Sequence, residues 1–102
     1  MIINEDKLHE TCDFYGKIDI SINAMEECSE LIQCVAKELR GFKDPSHMEE
    51  EIGDVIVALS NLIYIYGLDE NKIQQWIDFK QNRQIARLKL EREGKNDTNS
   101  MR

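Results

Sequence analysis

The chain has 102 residues, 41% hydrophobic and 32% charged, with a formal net charge of −7. That length allows one modest core and excludes two large lobes. The excess of 20 acidic over 13 basic residues disfavours a nucleic-acid-binding face, and no apolar run approaches the roughly 20 residues of a membrane span. The opening "MIINEDKLHE" lacks the basic start and apolar run of a signal peptide, so a cytoplasmic protein is expected. Cys12, Cys28 and Cys34 contain no C-x-x-C pair and are odd in number, which reads as reduced packing residues.

Glycines and the single proline divide the chain into predicted helices. The first covers about 4–15 and is closed by Gly16; the second covers about 20–40 and is closed by Gly41. After the connection "GFKDPS", Ser46 with Glu49 three residues on has the form of a capping box, opening a third helix that runs to about Tyr66 before Gly67. Asp69 can cap a fourth, ending near Gly94. The closing "KNDTNSMR" is polar and reads as a frayed tail. No useful strand-like alternation occurs, so the expectation is an all-α, four-helix domain over 1–94 with a disordered tail at 95–102.

Two stretches of this plan carry chemistry. "EECSELIQ" in the second helix and "EEIGDVIV" in the third each place two acids one turn apart: Glu27 with Glu30, and Glu51 with Asp54. Turned at 100° per residue, the second helix has an apolar face centred near Cys28, Val35 and Leu39, the third near Ile52, Val55 and Leu59, and each acidic pair lies on the same flank. In an antiparallel hairpin the two pairs fall level to within about 4–8 Å along the axes. Two unit charges about 4 Å apart repel by roughly 4 kcal/mol at an effective dielectric of 20, so four convergent carboxylates need a counter-ion or protonation. With no neighbouring histidine or thiolate in the plan, oxygen donors favour Mg²⁺ or Mn²⁺ over Zn²⁺.

E-E-x-x-E (Glu26, Glu27, Glu30), a gap of 20 residues and E-x-x-D (Glu51, Asp54) resemble the MazG-like nucleotide pyrophosphohydrolases of the all-α NTP pyrophosphatase superfamily. The resemblance spans about 20–90. It implies hydrolysis of a nucleoside triphosphate between the α and β phosphorus atoms, with Glu27, Glu30, Glu51 and Asp54 as Mg²⁺ ligands. It also implies a basic phosphate-binding stretch in the fourth helix, where Lys80, Arg83 and Arg87 form a stripe. Lys80 would act as a point charge and Arg83 as a fork on phosphate oxygens. Glu26 and Glu50, each one residue before a ligand position, are the acids that would orient or deprotonate water.

The remaining conspicuous residues read as ordinary. His9 and His47 are isolated; Trp76, Ile77 and Phe79 suit packing or a subunit interface, as do Tyr64 and Tyr66; Asn23 and Asn61 flank the acidic stripe and can reach a substrate. Long amphipathic helices on a short chain predict a homodimer or homotetramer. Two rival readings remain at this level: an enzyme resembling phosphoribosyl-ATP pyrophosphohydrolase, and an acidic helical interaction module without turnover.

Overall fold

A computed structural model describes residues 1–94; the tail expected at 95–102 lies outside them. The described residues contain three helices and no strand: α1 (Glu5–Leu39), α2 (Pro45–Ile65) and α3 (Glu70–Gly94). The all-α expectation is met, but the first two predicted helices are one element, not two. The boundary read at Gly16 survives inside it as a single residue of non-helical backbone, φ 84° and ψ 173°. That conformation is open essentially only to glycine. The chain therefore changes direction at Gly16 and resumes helix at once, without the four-residue connection expected at 16–19.

The helix ends follow from local chemistry. Asn4 caps α1 by accepting the Lys7 backbone N–H at 2.9 Å. Gly41, at φ 96°, follows its last turn, as expected. For α2 the cap is Asp44 rather than Ser46: its carboxylate accepts the His47 N–H at 3.1 Å, and Pro45 occupies the first helical position. A proline there sacrifices no hydrogen bond and arrives with its φ already helical. Gly67, at φ 61°, follows the C-terminal end of α2. Asp69 opens α3 as expected, accepting from the backbone of Asn71 at 2.8 Å and Lys72 at 3.3 Å.

Two compact units result, Met1–Leu68 and the stretch from Asp69 onward. In the first, α1 packs along α2. The buried residues of α1 are Leu8, Cys12, Ile20, Ala24 and Cys34, and those of α2 are Glu51, Ala58 and Asn61. This corrects the predicted apolar faces: Val35, Leu39, Ile52 and Leu59 are exposed, and Cys28 is only half-buried. The contact uses a neighbouring seam rich in small side chains, where alanines and a cysteine let the helix axes approach closely. At one end Leu8, Cys12 and Ile20 form the apolar core, with Ile3, Leu62 and Ile65 packed against it. Burial, with the charge of Asp13, pushes the Cys12 thiol above its ordinary value.

Two tyrosines near the C-terminal end of α2 grip α1 on either side of the Gly16 break. Before it, the Tyr64 hydroxyl donates to Asp13 Oδ1 at 2.9 Å while its ring stacks on His9, centroids 4.1 Å apart. After it, the Tyr66 hydroxyl lies 2.6 Å from Ser21 Oγ, and Lys17 Nζ sits 4.8 Å above the ring. Tyr64 and Tyr66 are therefore bracing residues, with hydroxyls engaged, rather than core aromatics.

In the second unit, α3 buries none of its described residues. Gln74 donates to Asp78 at 2.9 Å one turn on. Trp76 meets Phe79 edge to face, Lys80 Nζ lies 5.7 Å from the Trp76 ring, and the Arg83 guanidinium 5.6 Å from Phe79.

Candidate metal centre

On α1 the buried seam runs Ile20, Ala24, then Glu27, and on α2 it runs Asn61, Ala58, then Glu51. Both lines keep helical spacing, so the carboxylates occupy positions where an apolar side chain would continue the contact. They stand within the helix interface rather than on its flank. Glu51 is only 6% exposed, and Glu27 and Asp54 are half-buried. One carboxylate oxygen from each of these three residues lies within 4.8 Å of the others.

The electrostatics follow from that crowding. Burial, then the charges of Asp54, Glu30 and Glu51, raise the Glu27 carboxyl above its ordinary value, and a hydrogen bond with the Glu30 side chain adds to the rise. Burial likewise raises Glu51; the charge of Glu30 comes next, His47 works in the opposite direction, and Asp54 and Glu50 add to the rise. Glu30 is thus close enough to act on both, although it is exposed and outside the tight group of three. Oε1 of Glu27 and Oε1 of Glu51 are shut off from solvent without a hydrogen-bond partner. Orphaned buried acceptors are costly, and a bound cation or a proton would satisfy them. Hard anionic oxygens converging from two facing helices fit a divalent cation of the Mg²⁺ or Mn²⁺ kind.

The other expected site residues are placed as follows. Glu26 is exposed on α1; Glu50 is exposed on α2, with Oε1 3.8 Å from His47 Nδ1. Lys80 and Arg83 lie on α3, in the second unit. Asn23 and Asn61 line one cavity of about 320 Å³ together with Thr11, Tyr15, Asp19 and Ile20. His47, expected to be isolated, is not: its Nε2 faces Glu51 Oε2 at 3.8 Å. The signal was present in the sequence, because His47 and Glu51 are four apart and share one face of a helix.

An all-α hairpin with acidic residues converging across its interface defines a class of helical domain whose carboxylates suit a divalent cation. Within that class, residues 19–91 match the MazG nucleotide pyrophosphohydrolase domain, and the chain belongs to this family. No curated protein and no solved structure matches it.

Proposed function

We propose that the protein is a Mg²⁺-dependent nucleoside triphosphate pyrophosphohydrolase that converts its substrate and water into the nucleoside monophosphate and pyrophosphate, removing unwanted nucleotides from the pool. The observation that carries this reading is the trio Glu27, Glu51 and Asp54, with two enclosed oxygens lacking any partner. Those three, with Glu30 beside them, would hold the cation. When bound, it supplies charge neutralisation and Lewis acidity toward phosphate oxygens.

The chain's own residues supply the rest. Glu26 or Glu50 accepts a proton from the attacking water, whose oxygen bonds to the α-phosphorus as the bond to the α,β-bridging oxygen breaks. Lys80 and Arg83 offset charge on the departing pyrophosphate. Asn23 lies one turn from Glu27 and Asn61 two turns from Asp54, about 6 Å and 10 Å along the helix axes. That spacing suits a nucleoside in the amide-lined cavity with its phosphates at the carboxylates. Exposed Ile18, Ile22, Met25, Ile32, Val35 and Leu39 along α1 support assembly as a homodimer or homotetramer.

Pyrophosphate release tests the reading, measured over canonical, deoxy and damaged nucleotides and phosphoribosyl-ATP, with and without Mg²⁺. Mg²⁺-dependent release from one or more triphosphates, strongly cut by Lys80→Ala, is the expected result. Phosphoribosyl-ATP as the sole substrate would overturn the substrate assignment. No release from any of them would favour the interaction module.

A further inference from the structure

Three groups of the first unit converge in a second cluster that shares one member with the trio already described. His47, Glu50 and Glu51 follow one another on the first turns of α2, and one donor atom from each lies within 4.8 Å of the others. We infer that these residues form a second cation site, selective for a transition ion of the Zn²⁺ or Co²⁺ kind, sharing the buried Glu51 carboxylate with the first site.

The distances favour an ion over simple pairing. A charge-assisted N–H···O contact closes to about 2.7–2.9 Å. Here both imidazole nitrogens stop at 3.8 Å, Nε2 from Glu51 Oε2 and Nδ1 from Glu50 Oε1. Two ligand bonds of about 2.1 Å to a common ion span at most about 4.2 Å, so the Nε2–Oε2 separation of His47 and Glu51 fits coordination directly, with this one ring nitrogen as the ligand. The wider spread of the full set closes by small rotations of the His47 and Glu50 side chains, which are 45% and 70% exposed.

Glu51, the member shared with the first site, itself lacks a ligand. Its side chain is only 7% exposed, Oε2 faces His47 Nε2 at 3.8 Å, and Oε1 has no hydrogen-bond partner. A buried carboxylate left this way at the meeting point of two donor groups is suited to bridge two ions. The donor set differs from the first site by one imidazole, and that decides the metal. Nitrogen with carboxylate oxygen favours Zn²⁺, Co²⁺ or Ni²⁺, whereas Mg²⁺ prefers oxygen alone. The positive end of the α2 dipole opposes a cation, a small effect beside two carboxylates.

Access is open: His47 also borders a cavity of about 590 Å³ between the end of α1 and the start of α2. Backbone anchoring to Asp44 holds His47 in the first turn, so its side chain keeps the Glu51 face. With Glu50 engaged at the second site, Glu26 remains to accept the proton of the attacking water. The second site shares Glu51 with the proposed catalytic centre but does not depend on nucleotide cleavage.

Equilibrium dialysis of Co²⁺ against the full chain in saturating Mg²⁺, with the visible absorption of bound Co²⁺ recorded, tests the inference. One Co²⁺ per chain is expected, weakened at least about 10-fold by His47→Ala or His47→Gln and retained in Asp54→Asn. Circular dichroism and Mg²⁺ binding should be unchanged in the His47 variants. Absence of Co²⁺ binding, or binding indifferent to both His47 variants, would overturn it. Loss in Asp54→Asn alone would place Co²⁺ among the first-site carboxylates and overturn it as well. Failure of pyrophosphate release with this Co²⁺ pattern intact would reject the catalytic reading only.

Discussion

The two ends of the α1–α2 pair are built on opposite principles. Around Gly16 the contact is apolar and braced: Leu8, Cys12 and Ile20 meet Leu62 and Ile65, and Tyr64 and Tyr66 fasten α1 by their hydroxyls. Toward the turn, the same interface gives its central positions to Glu27 and Glu51, whose enclosed oxygens have no partner. One end holds the helices together; the other spends part of that cohesion on keeping negative charge dry. A helical pair can carry such a cluster only because its stabilising contacts lie elsewhere along the same seam.

Glu51→Gln should separate the two ends most sharply. It removes one charge at almost constant shape, so activity should fall at least about 100-fold, beyond what losing a supporting partner costs. The rise in melting temperature that Mg²⁺ gives the parent should vanish, since the ion stabilises by binding the folded cluster. The metal-free variant should melt no lower than the parent. A clear drop in metal-free melting would make Glu51 a structural acceptor and remove the contrast.

At the braced end, Gly16→Ala should act on stability without touching chemistry. A Cβ there meets no neighbouring atom, but the residue must keep φ 84°. Strain of this kind costs about 1–3 kcal/mol. Thermal melting should fall by roughly 4–8 °C for each kcal/mol, with Mg²⁺ binding retained. An unchanged melting point would show that the break is not required.

The pH dependence of the metal-free protein should bear the mark of the acidic end. Glu27 and Glu51 titrate above the ordinary glutamate value of 4.5 when folded, so the folded state holds protons that the unfolded chain has released. Their contribution makes stability fall as pH rises through the folded values and removes the penalty entirely below 4.5. Melting curves of parent and Glu51→Gln should therefore converge as pH is lowered toward 4.5 and diverge above it. Parallel curves across that window would contradict the crowding of charge.

The smallest effect belongs to Tyr64→Phe, which removes the bond to Asp13 at a partly exposed position but keeps the stacking on His9. A drop in melting temperature smaller than that of Gly16→Ala is expected, with activity unaltered. A larger drop would make the hydroxyl, rather than the apolar core, the principal brace.

Particular residues show what was legible in the sequence. Glycines at 41 and 67 and the cap at Asp69 marked helix ends correctly, because positive φ and an Asx cap are local requirements. The acidic repeat was legible from its spacing, and its resemblance led to the family that the chain belongs to. The buried face of α1 was not legible: Ile18, Ile22, Ile32, Val35 and Leu39 offer a larger apolar stripe than the Ile20, Ala24 and Cys34 seam that is used. Periodicity weighs hydrophobicity, whereas close approach of two helices rewards small side chains. Ser46 with Glu49 has the form of a capping box, but Pro45 at the first helical position places the start at Asp44. The spacing of His47 and Glu51 is local, but its weight depends on Glu51 being buried, a property of the tertiary contact.

The brackets at Tyr64 and Tyr66 also bear on rotation. A helix that slips by one residue turns by about 100°, enough to swing a carboxylate from the interface into solvent. Gly16 breaks the regular helical geometry between residues 5–15 and 17–39, so the orientation of one segment does not by itself dictate that of the other. Each segment consequently needs its own torsional stop: Asp13 on Tyr64 for the first, and Ser21 on Tyr66 for the second. Ser21 is six residues, about 9 Å, from Glu27 on the same rigid rod. The azimuth of the Glu27 carboxylate is thereby tied to a hydroxyl pair outside the candidate centre, and rotational slack introduced at Ser21 would blur the alignment of Glu27 while leaving every residue of that centre in place.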